Sequence, residues 1–131
     1  MKYLFDSSSI FRAIKENKIE ALNKNHTLEL ARYELGNILW KEYALQAKIP
    51  EQDSKMMAKT IRHTLNIMNV LDIAGYEEEI LETAIQLKTT FYDASYACLA
   101  KAQGLILITE DSHLIKKTAP AIKASTLESI T

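Results

Sequence analysis

The chain has 131 residues, of which 47% are hydrophobic and 25% are charged. This length suits one domain with a sizeable core, and the composition excludes a disordered polymer. Sixteen basic and seventeen acidic residues give a net charge of −1, which excludes a strongly basic nucleic-acid-binding domain but allows an acidic pocket on a mildly basic body.

The predicted elements alternate between strands and helices along the chain. Residues 3–5 form a short apolar strand that ends at Asp6, and a helix follows from about Ser9 to Lys15. Residues 26–30 are ambiguous. Helical periodicity then covers 31–47, about 50–68, 77–88, about 92–103 and a short stretch from about 111, whereas strands are predicted over 70–73, 105–108 and 122–126. The pattern predicts a single α/β domain over 1–131, a three-layer α/β/α sandwich with a mostly parallel central sheet.

Two of the predicted strands end at acidic residues. Asp6 closes the first strand, and Thr109-Glu110-Asp111 follows the aliphatic run at 105–108. In open parallel sheets, ligands bind outside the carboxyl ends of the strands. Asp6 and Asp111 also suit the N-cap of the helix that follows each of them, so a purely structural role stays open for both.

Two further acids stand on helix faces that are predicted to turn inward. Glu34 lies beside an apolar stripe, and the position four residues on holds Ile38, where a surface glutamate would more usually have a basic partner. Asp93 shares its helix face with Tyr96. The structural alternatives are a buried ion pair for Glu34 and a capping box opened by Thr90 for Asp93.

If the four carboxylates lie close together in the fold, they form one site. Two ionised carboxylates about 4 Å apart repel each other by roughly 4 kcal/mol at an effective dielectric constant near 20. A cluster of four therefore requires protonation of some members or a divalent cation among them. Oxygen-only ligands favour Mg²⁺ or Mn²⁺, which can activate a water and orient a phosphodiester. The pattern predicts metal-dependent phosphodiester hydrolysis.

Four motifs, in order and spanning nearly the whole chain, resemble the PIN domain, in particular the small VapC-type toxin ribonucleases of VapBC toxin–antitoxin pairs. They are Tyr3-Leu4-Phe5-Asp6-Ser7-Ser8, Ala31-Arg32-Tyr33-Glu34-Leu35, Tyr92-Asp93-Ala94-Ser95-Tyr96-Ala97 and Leu107-Ile108-Thr109-Glu110-Asp111-Ser112-His113-Leu114. The resemblance implies a Mg²⁺- or Mn²⁺-dependent endoribonuclease in which a metal-activated water hydrolyses RNA. By position it implies that the metal is coordinated by Asp6, Glu34, Asp93 and Asp111, with Thr109 and Ser7 in support.

The resemblance also implies partners, namely a homodimer and a cognate antitoxin that fills a groove. The two central helices carry one tryptophan and three methionines, namely Trp40, Met56, Met57 and Met68. We expect most of these side chains in the core, and any that are exposed would suit such a partner. No stretch approaches the ~20 apolar residues of a membrane span. Cys98, the single cysteine, excludes an internal disulfide and a thiolate zinc site built by this chain alone. We expect a cytoplasmic protein.

Several charged residues near the strand ends are candidates for binding RNA phosphates. Arg12 and Lys116 follow the site strands most closely, with solvated surface charge as the alternative for each. Two roles stay open for Glu110, a site residue or a neighbour of Asp111 that simply faces solvent. Two also stay open for His113, a substrate contact or an ordinary polar residue of a helix.

Three other functions compete with hydrolysis of RNA. A haloacid-dehalogenase-type enzyme would need a second aspartate where this chain has Ser8, and a receiver-type phosphoacceptor would need a paired acid cluster and a late-strand lysine that we do not find. A PIN-like module that binds RNA or a protein without cutting stays open, although the complete set of four acids argues against it.

Overall fold

The computed structural model describes residues 2–131, in which five short strands form one parallel sheet. The strands are β1 (Tyr3–Phe5), β2 (His26–Leu28), β3 (Asn69–Leu71), β4 (Ile106–Ile108) and β5 (Ala124–Ser125). Their order across the sheet is β3-β2-β1-β4-β5, and every neighbouring pair is parallel. The chain builds the sheet outward from β1 to β3, then returns to the other side of β1. The strand order therefore reverses between β1 and β4.

Six α-helices flank the sheet and bury its two faces. They are α1 (Ser7–Lys15), α2 (Leu30–Trp40), α3 (Glu51–Asn66), α4 (Glu77–Leu87), α5 (Phe91–Gln103) and α6 (Ser112–Thr118). One core cluster joins Phe5 and Ile108 to α1, α2 and α3, and the other joins Leu4 and Leu107 to α4 and α5. Adjacent strand residues point to opposite faces, so the continuous aliphatic run supplies both cores. The predicted three-layer sandwich is confirmed.

The cap residues set the ends of α5, which carries one of the candidate acids. Thr90 accepts a hydrogen bond from the backbone N–H of Asp93 at 3.1 Å, which is the capping contact expected of this sequence. Gly104 adopts a left-handed conformation at φ 66° and ends the helix. Thus α5 starts at the carboxyl edge of the sheet, and its first turn presents Asp93 there.

Some predicted boundaries of helices are wrong, and the structure decides the stretch that the sequence left ambiguous. The ambiguous stretch at 26–30 contains β2 and the start of α2. The helix predicted over 31–47 is α-helical only to Trp40 and continues as a π-turn over Lys41–Leu45. Short 3₁₀ segments at Ile19–Leu22 and Glu128–Ile130 were not predicted.

The tryptophan and methionines of the central helices divide between core and surface. Met68 is buried and Met57 packs against a core cluster, whereas Trp40 and Met56 are exposed. Two of the four residues therefore belong to the core, as expected for most of them, and the other two lie on the surface. Among residues 2–131, none of the helices combines the length and apolarity that crossing a membrane requires.

Candidate active site

The four predicted acids lie on elements that meet at the carboxyl edge of the sheet. Asp6 follows β1 and Asp111 follows β4, the two strands between which the strand order reverses. Glu34 is in the second turn of α2, and Asp93 is in the first turn of α5. This switch point is where open α/β sheets bind ligands, because the flanking connections diverge and leave a crevice.

Asp6 is the most deeply buried of these acids. Its Oδ1 atom accepts hydrogen bonds from the Ser8 hydroxyl at 2.7 Å and from the Ser9 backbone N–H at 3.0 Å. The second contact caps α1, so the capping role left open by the sequence is present. Burial raises the pKa of Asp6 above its ordinary value, and hydrogen bonds from Thr109, Ser8 and Ser9 oppose that rise.

Glu34 is half-buried and is held by a tyrosine from the opposite helical layer. The buried Tyr96 hydroxyl donates to Glu34 Oε1 at 2.7 Å. Burial raises the pKa of Glu34, hydrogen bonds from Tyr96 and Ser7 oppose this rise, and the charges of Asp6 and Asp93 add to it. The pKa of Tyr96 is itself raised, first by burial, so the phenol stays protonated and continues to donate.

Asp93 and Asp111 extend the acidic row across the edge. Burial and then the charge of Asp111 raise the pKa of Asp93, whereas the Thr89 hydroxyl and the Lys117 charge lower it. Asp111 is exposed, and its Oδ1 accepts from the backbone N–H groups of His113 at 2.9 Å and Leu114 at 3.2 Å. Asp111 therefore caps α6 while its charge acts on Asp93.

The electrostatics connect the four acids into one site. The charges of Asp6 and Asp93 act on Glu34, and the charge of Asp111 acts on Asp93. Within residues 2–131, no three histidine, cysteine, aspartate or glutamate side chains are grouped tightly enough to hold a metal ion as they stand. The donor set still fits Mg²⁺, which takes one or two protein carboxylates and keeps several waters. A cation would also offset the repulsion between neighbouring carboxylates, which adds to burial in raising the pKa values of Glu34 and Asp93.

Ser8 joins the two strand ends, a role that sequence reasoning missed. Its hydroxyl donates to Asp6 and accepts from the backbone N–H of Glu110 at 3.0 Å. It also lies 3.4 Å from the Thr109 hydroxyl, which in turn accepts from the Asp111 backbone N–H at 3.1 Å. Ser8 and Thr109 thus fasten the loop after β1 to the loop after β4.

Glu110 does not simply face solvent, because both of its carboxylate oxygens have protein partners. One carboxylate oxygen pairs with Arg12, and the other accepts from the Leu127 backbone N–H at 2.9 Å. Arg12 also contacts Glu16 at 2.6 Å. The side chain of Glu110 therefore ties α1 and the C-terminal segment to the end of β4. The sequence hinted at this contact only in that Arg12 and Glu110 each follow one of the two site strands.

Glu110→Ala is expected to destabilise the fold by about 1–3 kcal/mol, because the N–H of the fully buried Leu127 loses its acceptor. Urea unfolding at neutral pH would measure the change. The control is Glu16→Ala, which removes a carboxylate from Arg12 and leaves the Leu127 N–H satisfied. Equal destabilisation by both variants would contradict the assigned role of Glu110.

A family model described as PIN domain matches residues 2–119 of this chain. The chain is 36% identical over 129 residues to Exonuclease VapC9 of Pyrobaculum aerophilum, covering 97% of this chain and 93% of that protein. It is 30% identical over 102 residues to Ribonuclease VapC3 of the same organism, covering 78% of this chain and 77% of that one.

Solved structures share the fold. A crystal structure of a Pyrobaculum aerophilum protein superposes with a TM-score of 0.83 at 32% identity, covering 99% of this chain and 86% of the other. A toxin–antitoxin complex from Klebsiella pneumoniae superposes with a TM-score of 0.65 at 18% identity, covering 87% and 90%. The second likeness concerns the fold alone.

Proposed function

Since this chain belongs to the PIN domain family and is homologous to VapC-type nucleases, we propose that it is a divalent-metal-dependent endoribonuclease and the toxin of a toxin–antitoxin pair. The observation that carries the proposal is the row of four carboxylates at the switch point of the sheet. Burial is the largest cause of the raised pKa values of Glu34 and Asp93, and neighbouring acids add to both: Asp6 and Asp93 act on Glu34, and Asp111 acts on Asp93. Helix capping does not account for this row, because Glu34 lies in the second turn of α2 and caps no helix.

The residues that would hold Mg²⁺ or Mn²⁺ are Asp6, Glu34, Asp93 and Asp111. When bound, the ion would supply a nucleophilic water at neutral pH and neutralise charge on the phosphate. Tyr96 orients the Glu34 carboxylate, and Ser8 orients that of Asp6. These hydrogen-bonded supports keep the ligands in place before substrate arrives, which lowers the cost of assembling the site.

Lys117 is the best-placed cation for a substrate phosphate. Its charge acts on Asp93, and its ammonium donates to the Lys88 carbonyl oxygen at 2.9 Å. An ammonium has three donors, so two remain for phosphate oxygens. Lys116 stands beside it on α6 and stays a candidate. Arg12 stays one as well, although its guanidinium would first have to leave the carboxylates that it now contacts.

Lys117→Gln is expected to weaken the binding of single-stranded RNA several-fold at low salt. The dependence of log affinity on log salt should become shallower by about 0.7, because one phosphate contact is lost. Fluorescence anisotropy over a range of KCl concentrations would measure both effects. Lys59→Gln, at an exposed position in the middle of α3, is the matched control. An unchanged salt dependence in the Lys117 variant would contradict this assignment.

A circular single-stranded RNA tests the proposed activity directly. An endonuclease opens the circle, whereas an exonuclease, the activity in the name of one relative, finds no end. We expect cleavage with Mg²⁺ or Mn²⁺ and none with excess EDTA, and no cleavage of a DNA circle of the same sequence. RNA binding without metal-dependent cleavage would instead support the non-catalytic module.

The proposed partners are a cognate antitoxin and a second copy of the chain. The relative solved as a toxin–antitoxin complex shares the fold, and Trp40 and Met56 are exposed here on the surface that sequence reasoning assigned to a partner. Size-exclusion chromatography with light scattering would report the homodimer. Loss of RNA cleavage on adding the protein encoded beside this one would identify the antitoxin.

A further inference from the structure

A small cavity lies at the carboxyl edge of the sheet, beside the row of acids. Its volume is about 200 Å³, and its apolar wall comes from three different parts of the chain: Leu30, Leu71, Ile73, Phe91 and Tyr92. Leu71 ends β3, whereas Leu30 and Phe91 open α2 and α5. The cavity therefore belongs to the same edge as the candidate active site, on its β2–β3 side.

Residues of the cavity wall lie close in the chain to two of the site acids. Leu30 precedes Glu34 by four residues on α2, which places both on the same side of that helix. Tyr92 immediately precedes Asp93 on α5. An extended ligand held at the acids would therefore reach the cavity with a neighbouring group.

A tyrosine stands at the rim of the cavity. Tyr92 is 59% exposed although it lines an apolar wall, so a large part of the residue is accessible to solvent. Aromatic rings in this position provide stacking surfaces for the bases of single-stranded nucleic acids. Phe91, which packs against a core cluster, provides a second aromatic wall that is not free to move away.

Size and charge restrict the occupant. The cavity is smaller than the roughly 300–1,000 Å³ of sites for drug-sized ligands, so it suits one ring system. Its polar rim includes the carboxylates of Glu29 and Asp72, and Arg32 is already paired with Glu29 at 2.7 Å. Such a rim disfavours a phosphate or carboxylate and favours a neutral, planar group that carries hydrogen-bond donors.

We propose that this cavity binds a nucleobase of the RNA substrate, next to the phosphodiester held at the acids, with the base stacked on Tyr92. The inference rests on the proposed function, because it takes single-stranded RNA as the substrate. Stacking on one aromatic side chain contributes about 5- to 100-fold in affinity per base. The cavity would thus set which nucleotide lies beside the cleavage point.

The test pairs removal of the tyrosine with removal of a base. A single-stranded RNA heptamer, and versions with one abasic nucleotide at each position, are titrated against the protein at low salt with Ca²⁺ in place of Mg²⁺, so that a cation is available between the carboxylates and the phosphates. Gel electrophoresis after each titration would verify that the RNA is intact. We expect one abasic position to weaken binding to the wild type by about 5- to 100-fold. Tyr92→Ala should bind the intact heptamer more weakly by a similar factor and should no longer respond to that abasic position.

Tyr33→Ala is the matched control. Tyr33 is 74% exposed and precedes Glu34 as Tyr92 precedes Asp93, but it does not line the cavity. The Tyr33→Ala variant should bind the intact heptamer and the abasic heptamers as the wild type does. A second variant, Ile73→Phe, fills the cavity and keeps the tyrosine, and it should also remove the response to the abasic position. Circular dichroism would verify that each variant is folded.

The outcomes separate this inference from the proposed function. If the wild type cleaves RNA with Mg²⁺ but Tyr92→Ala keeps the full abasic penalty, the base site is overturned and the nuclease stands. If the base-dependent binding is present but no metal-dependent cleavage is found, the base site stands and the nuclease is overturned. If Tyr92→Ala weakens only the binding of an antitoxin protein, the cavity is a protein-docking site and the inference is overturned.

Discussion

Asp93→Asn and Asp6→Asn are each expected to lower metal-dependent RNA cleavage by at least about 100-fold. Removal even of an outer-shell partner of a metal ligand costs about 10- to 100-fold, and here the proposed ligand itself loses its charge. Asparagine has the shape of aspartate and caps helices equally well, so the capping of α1 by residue 6 survives the change. Initial rates on a labelled RNA with saturating Mg²⁺ would measure the loss.

The control for charge removal is Asp53→Asn, at an exposed position in the first turn of α3. It should cleave RNA at the wild-type rate. Wild-type rates in both Asp6→Asn and Asp93→Asn would exclude the carboxylate row as the active site. Loss in only one of them would show which end of the row acts on the phosphodiester.

Metal-free Asp93→Asn is expected to be more stable than the metal-free wild type at pH 7. The pKa of Asp93 is raised in the folded protein by burial and by the charge of Asp111. A raised acidic pKa means that the folded state binds the proton more tightly than the unfolded state does. The wild type therefore loses stability as the pH rises from the ordinary value of 3.8 through the raised pKa, and it regains that stability on acidification.

The advantage of the variant should accordingly shrink as the pH falls toward 3.8 and should reverse when metal is added at pH 7. At a tenfold excess of Mg²⁺ over its Kd, mass action stabilises the wild type by about 1.4 kcal/mol. For a chain of this length that corresponds to a rise in Tm of about 3–6 °C. Differential scanning fluorimetry with EDTA and with Mg²⁺, at several pH values, would measure both effects. If the metal-free Asp93→Asn variant has a lower Tm than the metal-free wild type at pH 7, the charge of Asp93 does not destabilise the folded protein and the prediction is wrong.

Periodicity predicted the larger elements because their burial is regular. The aliphatic run before Thr109 feeds both cores and is recognisable without any tertiary information. Strand β2 was ambiguous because it has only three residues, of which two are polar. The buried Thr27 is accommodated by a long-range contact, the donation of its hydroxyl to the Phe5 carbonyl oxygen at 2.7 Å.

The candidate acids were accessible to sequence reasoning, and their supports were not. Strand ends and apolar helix faces are local patterns, so they indicated Asp6 and Glu34. Ser8 instead acts through a contact with Glu110, and the Glu110 side chain acts through a contact with Arg12. In each pair the two residues are about a hundred positions apart in the chain. No local pattern distinguishes such a glutamate from a solvated one. The roles of the four acids, and of Thr109 and Ser7 beside them, stay predictions until the variants are measured.

The position of β1 in the centre of the sheet has a consequence for synthesis on the ribosome. The first strand to be made pairs with β4, whose residues follow about a hundred positions later, and such distant pairings form only when both partners have emerged. The carboxylates at positions 6 and 111 therefore remain apart until most of the chain has left the exit tunnel. A truncated nascent chain that stops before β4 has three of the acids but no switch point, and it should not cut the RNA around it.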